Sequence, residues 1–220
     1  MTDSAFEDTL HSLRVWDTDL PGFDPDTAPD DPLPLFRDWF VDAARAGQPE
    51  PHAMQLATVD AAGHPDVRTV MLHGADARGW RFATHSTSTK GRQLAAVPYA
   101  ALHFYWPARA RQVRLRGHVT MGSAAEAYDD LHARSTGALA AALVGRQSEP
   151  LPSVGVLREA SDDAWTRAES DPTVGVATWT VYHLAAREAE FFQGDARRRH
   201  VRLRYLRGDD DTWTRMLLWP

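Results

Sequence analysis

The chain has 220 residues, no cysteine and a formal charge of −6, with 43% hydrophobic and 25% charged residues. That length suits one domain, or a domain with an arm, and is enough to bury a sizeable core. The missing cysteines exclude disulfides, thiolate metal sites and a cysteine nucleophile, and they fit a reducing compartment. The acidic balance argues against nucleic acid as a partner. No apolar run approaches the ~20 residues of a membrane span. The opening MTDSAFEDTL lacks the basic and apolar regions of a signal peptide, so a cytoplasmic protein is expected.

In chain order, residues 1–30 are rich in Asp, Pro, Thr and Gly and read as a flexible arm, in which Leu10, Leu13, Val15 and Trp16 could dock on a partner surface. Residues 31–220 read as a single domain. A helix is expected from Asp31–Pro32, an N-cap followed by a first-turn proline, with Leu35, Phe36, Trp39, Phe40 and Ala43 at helical spacing. Gly47 and Pro49 end it. Strands are expected at Met54–Val59, Val67–Leu72, Trp80–Thr84, Ala100–Trp106 and Gln112–Met121. The last alternates, with Val113, Leu115 and Gly117 on one face and Gln112, Arg114, Arg116 and His118 on the other. Ser123 and Glu126 match a capping box for a helix to about Ala133, with further helices at Gly137–Val144 and Val154–Ala168. Strands return at Ala177–Ala186, Glu188–Phe192, Val201–Arg207 and Thr212–Leu218. The pattern is mainly β with helices (α+β), an antiparallel barrel or sandwich.

Four features could carry chemistry. Thr84-His-Ser-Thr-Ser-Thr-Lys90 is a run of hydroxyls and a lysine between a strand and the helix Lys90–Ala96, which suits either a phosphate or an ordinary helix cap. Arg68 inside an apolar strand needs a carboxylate, a bound anion or an edge position with its head in solvent. Arg198, His200, Arg202 and Arg204 would share one face of an extended segment, as a solvated face or an anion site. Gln112 and Gln147-Ser148 offer groups that both donate and accept, as the edge of a heteroaromatic ring requires. The ten histidines show no HExxH-type spacing, and no metal site is expected. No GxGxxG, P-loop or GxSxG is present.

From about Leu33 to Pro220 the ordered motifs MQLATVDAAGHPDVRTVML, FATHSTSTKGRQL, YWPARARQV, EFFQGDARRRHVRLRY and WTRMLLWP resemble the pyridoxamine 5′-phosphate oxidase family. The resemblance implies a split β-barrel homodimer with FMN bound at the interface. It implies FMN contacts from Arg68, Val70, Met71 and Leu72, from Ala83, Thr84, Ser88, Thr89 and Lys90, and from Gln112, Gln147, Ser148, Phe192 and Arg202, partly across subunits. Thr89 stands where the family has arginine, and Phe192 where it has tryptophan. Arg198 and His200 match the family pair that lies over the flavin and handles the substrate.

The substrate side departs further. Where the family cradles a phosphate with lysine, tyrosine, arginine and serine, this chain has His73, Asp130, Arg134 and Ala138. A carboxylate is repulsive there, and each lost charge-assisted donor costs roughly 1.5–3 kcal/mol. The segments FATHSTSTKGRQL and HGADARGW look like the flavin oxidases of phenazine biosynthesis, a branch of secondary metabolism that makes antibiotics. The resemblance therefore implies an FMN-dependent oxidase of a non-phosphorylated dihydro-aromatic or amine substrate, with O2 as acceptor and H2O2 as product. Arg198 would position the substrate, His200 or His73 would move its proton, and Arg202 would stabilise negative charge on the flavin ring. The alternatives are the vitamin phosphate oxidase itself, a flavin- or haem-binding split barrel that carries or senses, and a cofactor-free structural dimer.

Overall fold

The computed structural model describes residues 3–14, 16 and 20–220. Its helices are α1 (Asp3–Ser12), α2 (Pro32–Arg45), α3 (Thr89–Ala96), α4 (Ala124–His132), α5 (Thr136–Val144) and α6 (Val154–Ser170). Its strands are β1 (Ala53–Val59), β2 (Pro65–Met71), β3 (Gly74–Asp76), β4 (Gly79–His85), β5 (Tyr99–Trp106), β6 (Arg111–Met121), β7 (Trp179–Gln193), β8 (Val201–Arg207) and β9 (Trp213–Leu218). Among the described residues no helix is long and apolar enough to cross a membrane.

The strands form one antiparallel sheet in the order β2-β1-β5-β6-β7-β4-β3, with β8 also on β7 and β9 on β8. It is curled as a split barrel. In β6 the residues Val113, Leu115, Gly117 and Val119 are buried and those between them are more exposed, the alternation that the sequence suggests. Strand β3 occupies part of what reads as a turn between Gly74 and Gly79. At Gly79, φ is +123°, and a Cβ would stand 2.0 Å from the Leu184 carbonyl oxygen, so only glycine fits.

The sequence suggests separate strands on either side of Arg187; the structure has one, β7, with a bulge there. Arg116 pairs with Glu188 while Gly117 pairs with Ala186, leaving Arg187 as the extra residue. Core-facing positions are Tyr182, Leu184 and Ala186 before the bulge, and Ala189 and Phe191 after it. The added residue flips the phase of alternation, which is why the pattern breaks in the sequence while the strand continues. Before the bulge β7 pairs with β4, and after it with β8.

Helix α2 closes the barrel. Asp31 caps it, accepting from the Leu33 N–H at 2.7 Å. Phe36 packs edge-on against Trp80 and Phe104, with Phe40 and Trp106 also near. Asp42 then grips the sheet, accepting from Arg109 at 2.6 Å and from Arg111 at 2.7 Å. A smaller core of Leu131, Leu139, Ala140, Ala142 and Ala168 joins α4, α5 and α6.

Contacts with the main core begin before residue 31. Phe23 meets Trp39 at 5.0 Å, Ala28 is buried, and the Pro29 carbonyl accepts from the Tyr205 hydroxyl at 2.8 Å. The acidic and polar residues around these few docking positions hide them in the sequence. Leu10 and Leu13 are exposed, and Val15 lies outside the described residues.

Phe36→Ala removes the ring at the centre of the aromatic cluster. It should cost about 3–5 kcal/mol of unfolding free energy, measured by denaturant unfolding at fixed protein concentration.

Candidate functional site

The hydroxyl loop is built as a cation-bearing cradle. Ser88 caps α3, its Oγ accepting the Gly91 N–H at 3.2 Å while donating to the His85 carbonyl at 2.7 Å. This sets Lys90 in the first turn, only 9% exposed. Its Nζ donates to Thr84 Oγ1 at 3.3 Å and to Gln147 Oε1 at 3.1 Å, and Thr84 donates to the same Gln147 oxygen at 2.8 Å. Ser148, at φ 72°, accepts from the Thr89 N–H at 3.2 Å. Gln147-Ser148 is thus brought to Thr84, Thr89 and Lys90 within one chain, across a long separation in sequence.

Among the described residues no carboxylate lies within 4.0 Å of Lys90. Burial pushes its amine below the ordinary value of 10.5, the Arg68 guanidinium pushes the same way, and Asp66 opposes. A buried ammonium whose hydrogen-bond partners are all neutral is costly, and an anion would relieve that cost. Burial, and then Lys90, likewise lower His85, so the imidazole beside the amine is disposed to be neutral. Arg68 donates to the Leu56 carbonyl, Thr58, Gln93 and Asp66 at 2.5–3.1 Å. Its carboxylate partner is the half-exposed Asp66. Val70 and Met71 continue β2, and the Leu72 N–H donates to the His52 carbonyl at 2.8 Å. Ala83 lies in β4 opposite Val181. These residues fit a phosphate-bearing group: an amine, a guanidinium, hydroxyls and a helix start converge on one end of the barrel.

A second cluster sits at the far end of β7. Gln112, Phe192 and Arg202 form one cross-strand row. Gln112 meets His103 at 3.1 Å, which meets Gln55 at 3.2 Å. Arg202 is held by Glu190 at 2.7 Å and donates to the Trp219 carbonyl at 2.9 Å. Arg198 and His200 do not continue that row in an extended segment, as their spacing suggests. They occupy the turn before β8, with Arg198 at φ 63°. His200 Nδ1 accepts the Asp195 N–H at 3.1 Å. Trp16 covers this turn, 5.0 Å from the His200 ring, 6.2 Å from Phe192 and 5.8 Å from the Arg198 guanidinium.

A third cluster lines a cavity of about 570 Å³ beside β3 and α4. His73 Nδ1 lies 2.7 Å from Asp130 Oδ1, and both side chains are about 10% exposed. Asp130 also accepts from Trp179 Nε1 at 3.2 Å. Burial pushes its carboxyl up, but His73, Trp179 and Arg134 together leave it below the ordinary carboxylate value. The Ser123 N–H and Arg78 hold Glu126, on the same wall, down to about 2. Arg134 lies over the Trp179 ring at 5.9 Å. Ala138 is in the first turn of α5, its N–H on Ser135 Oγ.

Sequence reasoning missed Gln93 and Glu190, which anchor the arginines, and Arg81 on the cavity wall. Gln93 stands one helical turn after Lys90, a spacing that could have drawn attention to it.

The model of "Pyridoxamine 5'-phosphate oxidase" matches residues 40–167, and that of "Pyridoxine 5'-phosphate oxidase C-terminal dimerisation region" matches residues 179–220. A pyridoxine/pyridoxamine 5′-phosphate oxidase of Hyphomonas neptunium is 40% identical over 193 residues, 87% of this chain and 88% of that protein. One from Ralstonia nicotianae is 41% identical over 197 residues, 89% of this chain and 92% of that protein. The crystal structure of PhzG from Burkholderia lata 383, in complex with tetrahydrophenazine-1-carboxylic acid, superposes with a TM-score of 0.86 at 30% identity, covering 92% of this chain and 98% of that one. The chain therefore belongs to the pyridoxamine 5′-phosphate oxidase family.

Proposed function

We propose that this FMN-dependent oxidase acts on a non-phosphorylated dihydro-aromatic or amine substrate, with reduced phenazine-type carboxylic acids as the favoured class. The observation that carries the reading is the 2.7 Å hydrogen bond between His73 Nδ1 and Asp130 Oδ1. Histidine and aspartate occupy positions where the family resemblance puts phosphate donors, and the histidine is already taken by the aspartate. The PhzG complex is a likeness in the same direction. A second reading is oxidation of pyridoxine or pyridoxamine 5′-phosphate; it is favoured by the names of the relatives at 40% identity and by the retained Arg134.

Lys90 and Arg68 would hold the FMN phosphate, with Thr84, Ser88, Gln147 and Ser148 around it. Phe192 and Arg202 would meet the flavin from a partner protomer. Thr84 pairs with Thr180 at one end of β7 and Arg202 with Phe192 at the other. The span is on the order of 35–40 Å by strand rise, too long for one flavin to bridge within one protomer. A homodimer with shared sites resolves this, and the matched dimerisation region agrees with it.

When bound, FMN supplies the two-electron chemistry, with O2 as the final acceptor. The histidines differ in what they can do. His200 Nδ1 accepts a backbone N–H, so the neutral ring carries its proton on Nε2 and can only donate there. His73 Nδ1 faces an ionised carboxylate, so it donates, and Nε2 is left as an acceptor. His73 is thus the better base for a substrate N–H or C–H, with Asp130 orienting the ring and stabilising its cation. Arg198 would position the substrate from above the flavin.

Kinetics on pyridoxamine 5′-phosphate and on a dihydrophenazine carboxylic acid should give a kcat/KM at least tenfold higher for the latter; the reverse order selects the vitamin reading, and flavin without turnover on either selects a carrier. Lys90→Gln should weaken FMN roughly 10–150-fold and riboflavin, which lacks the phosphate, much less. In the parent protein the phosphate binds the charged amine, whose own value lies below 10.5 before binding. FMN affinity should therefore fall as pH rises through that lowered value, with riboflavin unaffected in equilibrium titrations. Arg198→Ala should lower kcat/KM at least tenfold while FMN stoichiometry holds, and joint loss of flavin would remove the separate positioning role.

A further inference from the structure

Three guanidiniums line the cavity beside His73: Arg78, Arg81 and Arg134. Arg78 is consumed by Glu126 at 2.6 Å and Asp76 at 3.8 Å. The other two are not. Among the described residues neither Arg81 nor Arg134 has a carboxylate within 4.0 Å. Arg81 stands in β4 opposite His183, and its NH2 donates to the His73 carbonyl at 3.0 Å. Its Nε is buried and has no hydrogen-bond partner among the described residues. An arginine so placed has donors and charge to spare, beside a space large enough for a ring system.

The wall also limits which anion fits. Asp130 is already hydrogen-bonded to His73, Asp129 lies on the same wall, and so does Glu126 beside Arg78. A dianionic phosphate would face all three carboxylates. A carboxylate carries a single charge and is planar, and it matches the fork of a guanidinium.

We propose that Arg81 is a specificity-determining residue: together with Arg134 it binds the carboxylate of a polycyclic aromatic substrate. None of the positions implied by the family resemblance includes it. The proposal rests on the substrate class argued above and adds the group that reads it.

The test is calorimetric titration of the FMN-loaded protein with oxidised, unreactive probes: phenazine-1-carboxylate and unsubstituted phenazine. The parent protein should bind the carboxylate at least tenfold more tightly. Arg81→Gln should abolish that preference and leave the affinity for phenazine unchanged. Arg81→Lys should retain a reduced preference, because it keeps the charge and loses the fork. FMN stoichiometry and thermal midpoint report on folding. If Arg81→Gln does not fold, Arg81→Lys decides: an undiminished preference overturns the role. A persistent preference in Arg81→Gln, or equal affinity of the parent protein for both probes, overturns the role of Arg81 and leaves the substrate class standing. A parent protein that binds neither probe overturns the substrate class and this proposal with it.

Discussion

Strand β7 is paired with β6 along nearly its whole length, while its other edge is divided between β4 and β8. Every other placement follows from this. A long strand in a small barrel must keep its apolar side inward across a change of neighbours, and the extra residue at Arg187 does this by shifting the phase of alternation. The opposing residue is Gly117, where a Cβ would stand 2.0 Å from the Ala185 carbonyl oxygen, so the two strands close only over a missing side chain. The same strand separates two of the candidate clusters. The hydroxyl loop hangs from the end that meets β4, and the Phe192–Arg202 row from the end that meets β8.

Two buried cations differ in how their charge is matched. Arg111 sits on the core face of β6 with Asp42 at 2.7 Å, Gln193 at 2.8 Å and the Trp39 ring 4.3 Å away. Its charge is matched by Asp42, so it ties helix α2 to the sheet. Lys90 has only neutral oxygens. The folded chain bears that cost with only the more distant Asp66 to offset it.

Much of this was legible in the sequence because the signals were local. The Asp31 cap, the Ser123–Glu126 box and the alternation in β6 each depend on residues a few positions apart, and each is found where local chemistry puts it. The hydroxyl loop was legible for the same reason. Gln147 was a weak signal alone because its partners lie 57 and 63 residues away. The continuity of β7 was hidden by the bulge itself. The row from Arg198 to Arg204 looked extended because spacing cannot reveal a left-handed residue such as Arg198. Arg81 gave no signal, since an arginine in a strand is distinguished only by what fails to surround it.

The His73–Asp130 pair also ties two positions of the cavity wall to each other. The two positions answer to each other. A lysine placed at 73 alone would find Asp130 within reach and form a new ion pair there, leaving nothing for a phosphate. A neutral residue placed at 130 alone would remove the repulsion but leave the imidazole without its orienting partner. Each single step changes what the residue at the other position can do. Replacements at 73 and 130 are therefore coupled: the effect of either depends on the residue that stands at the other.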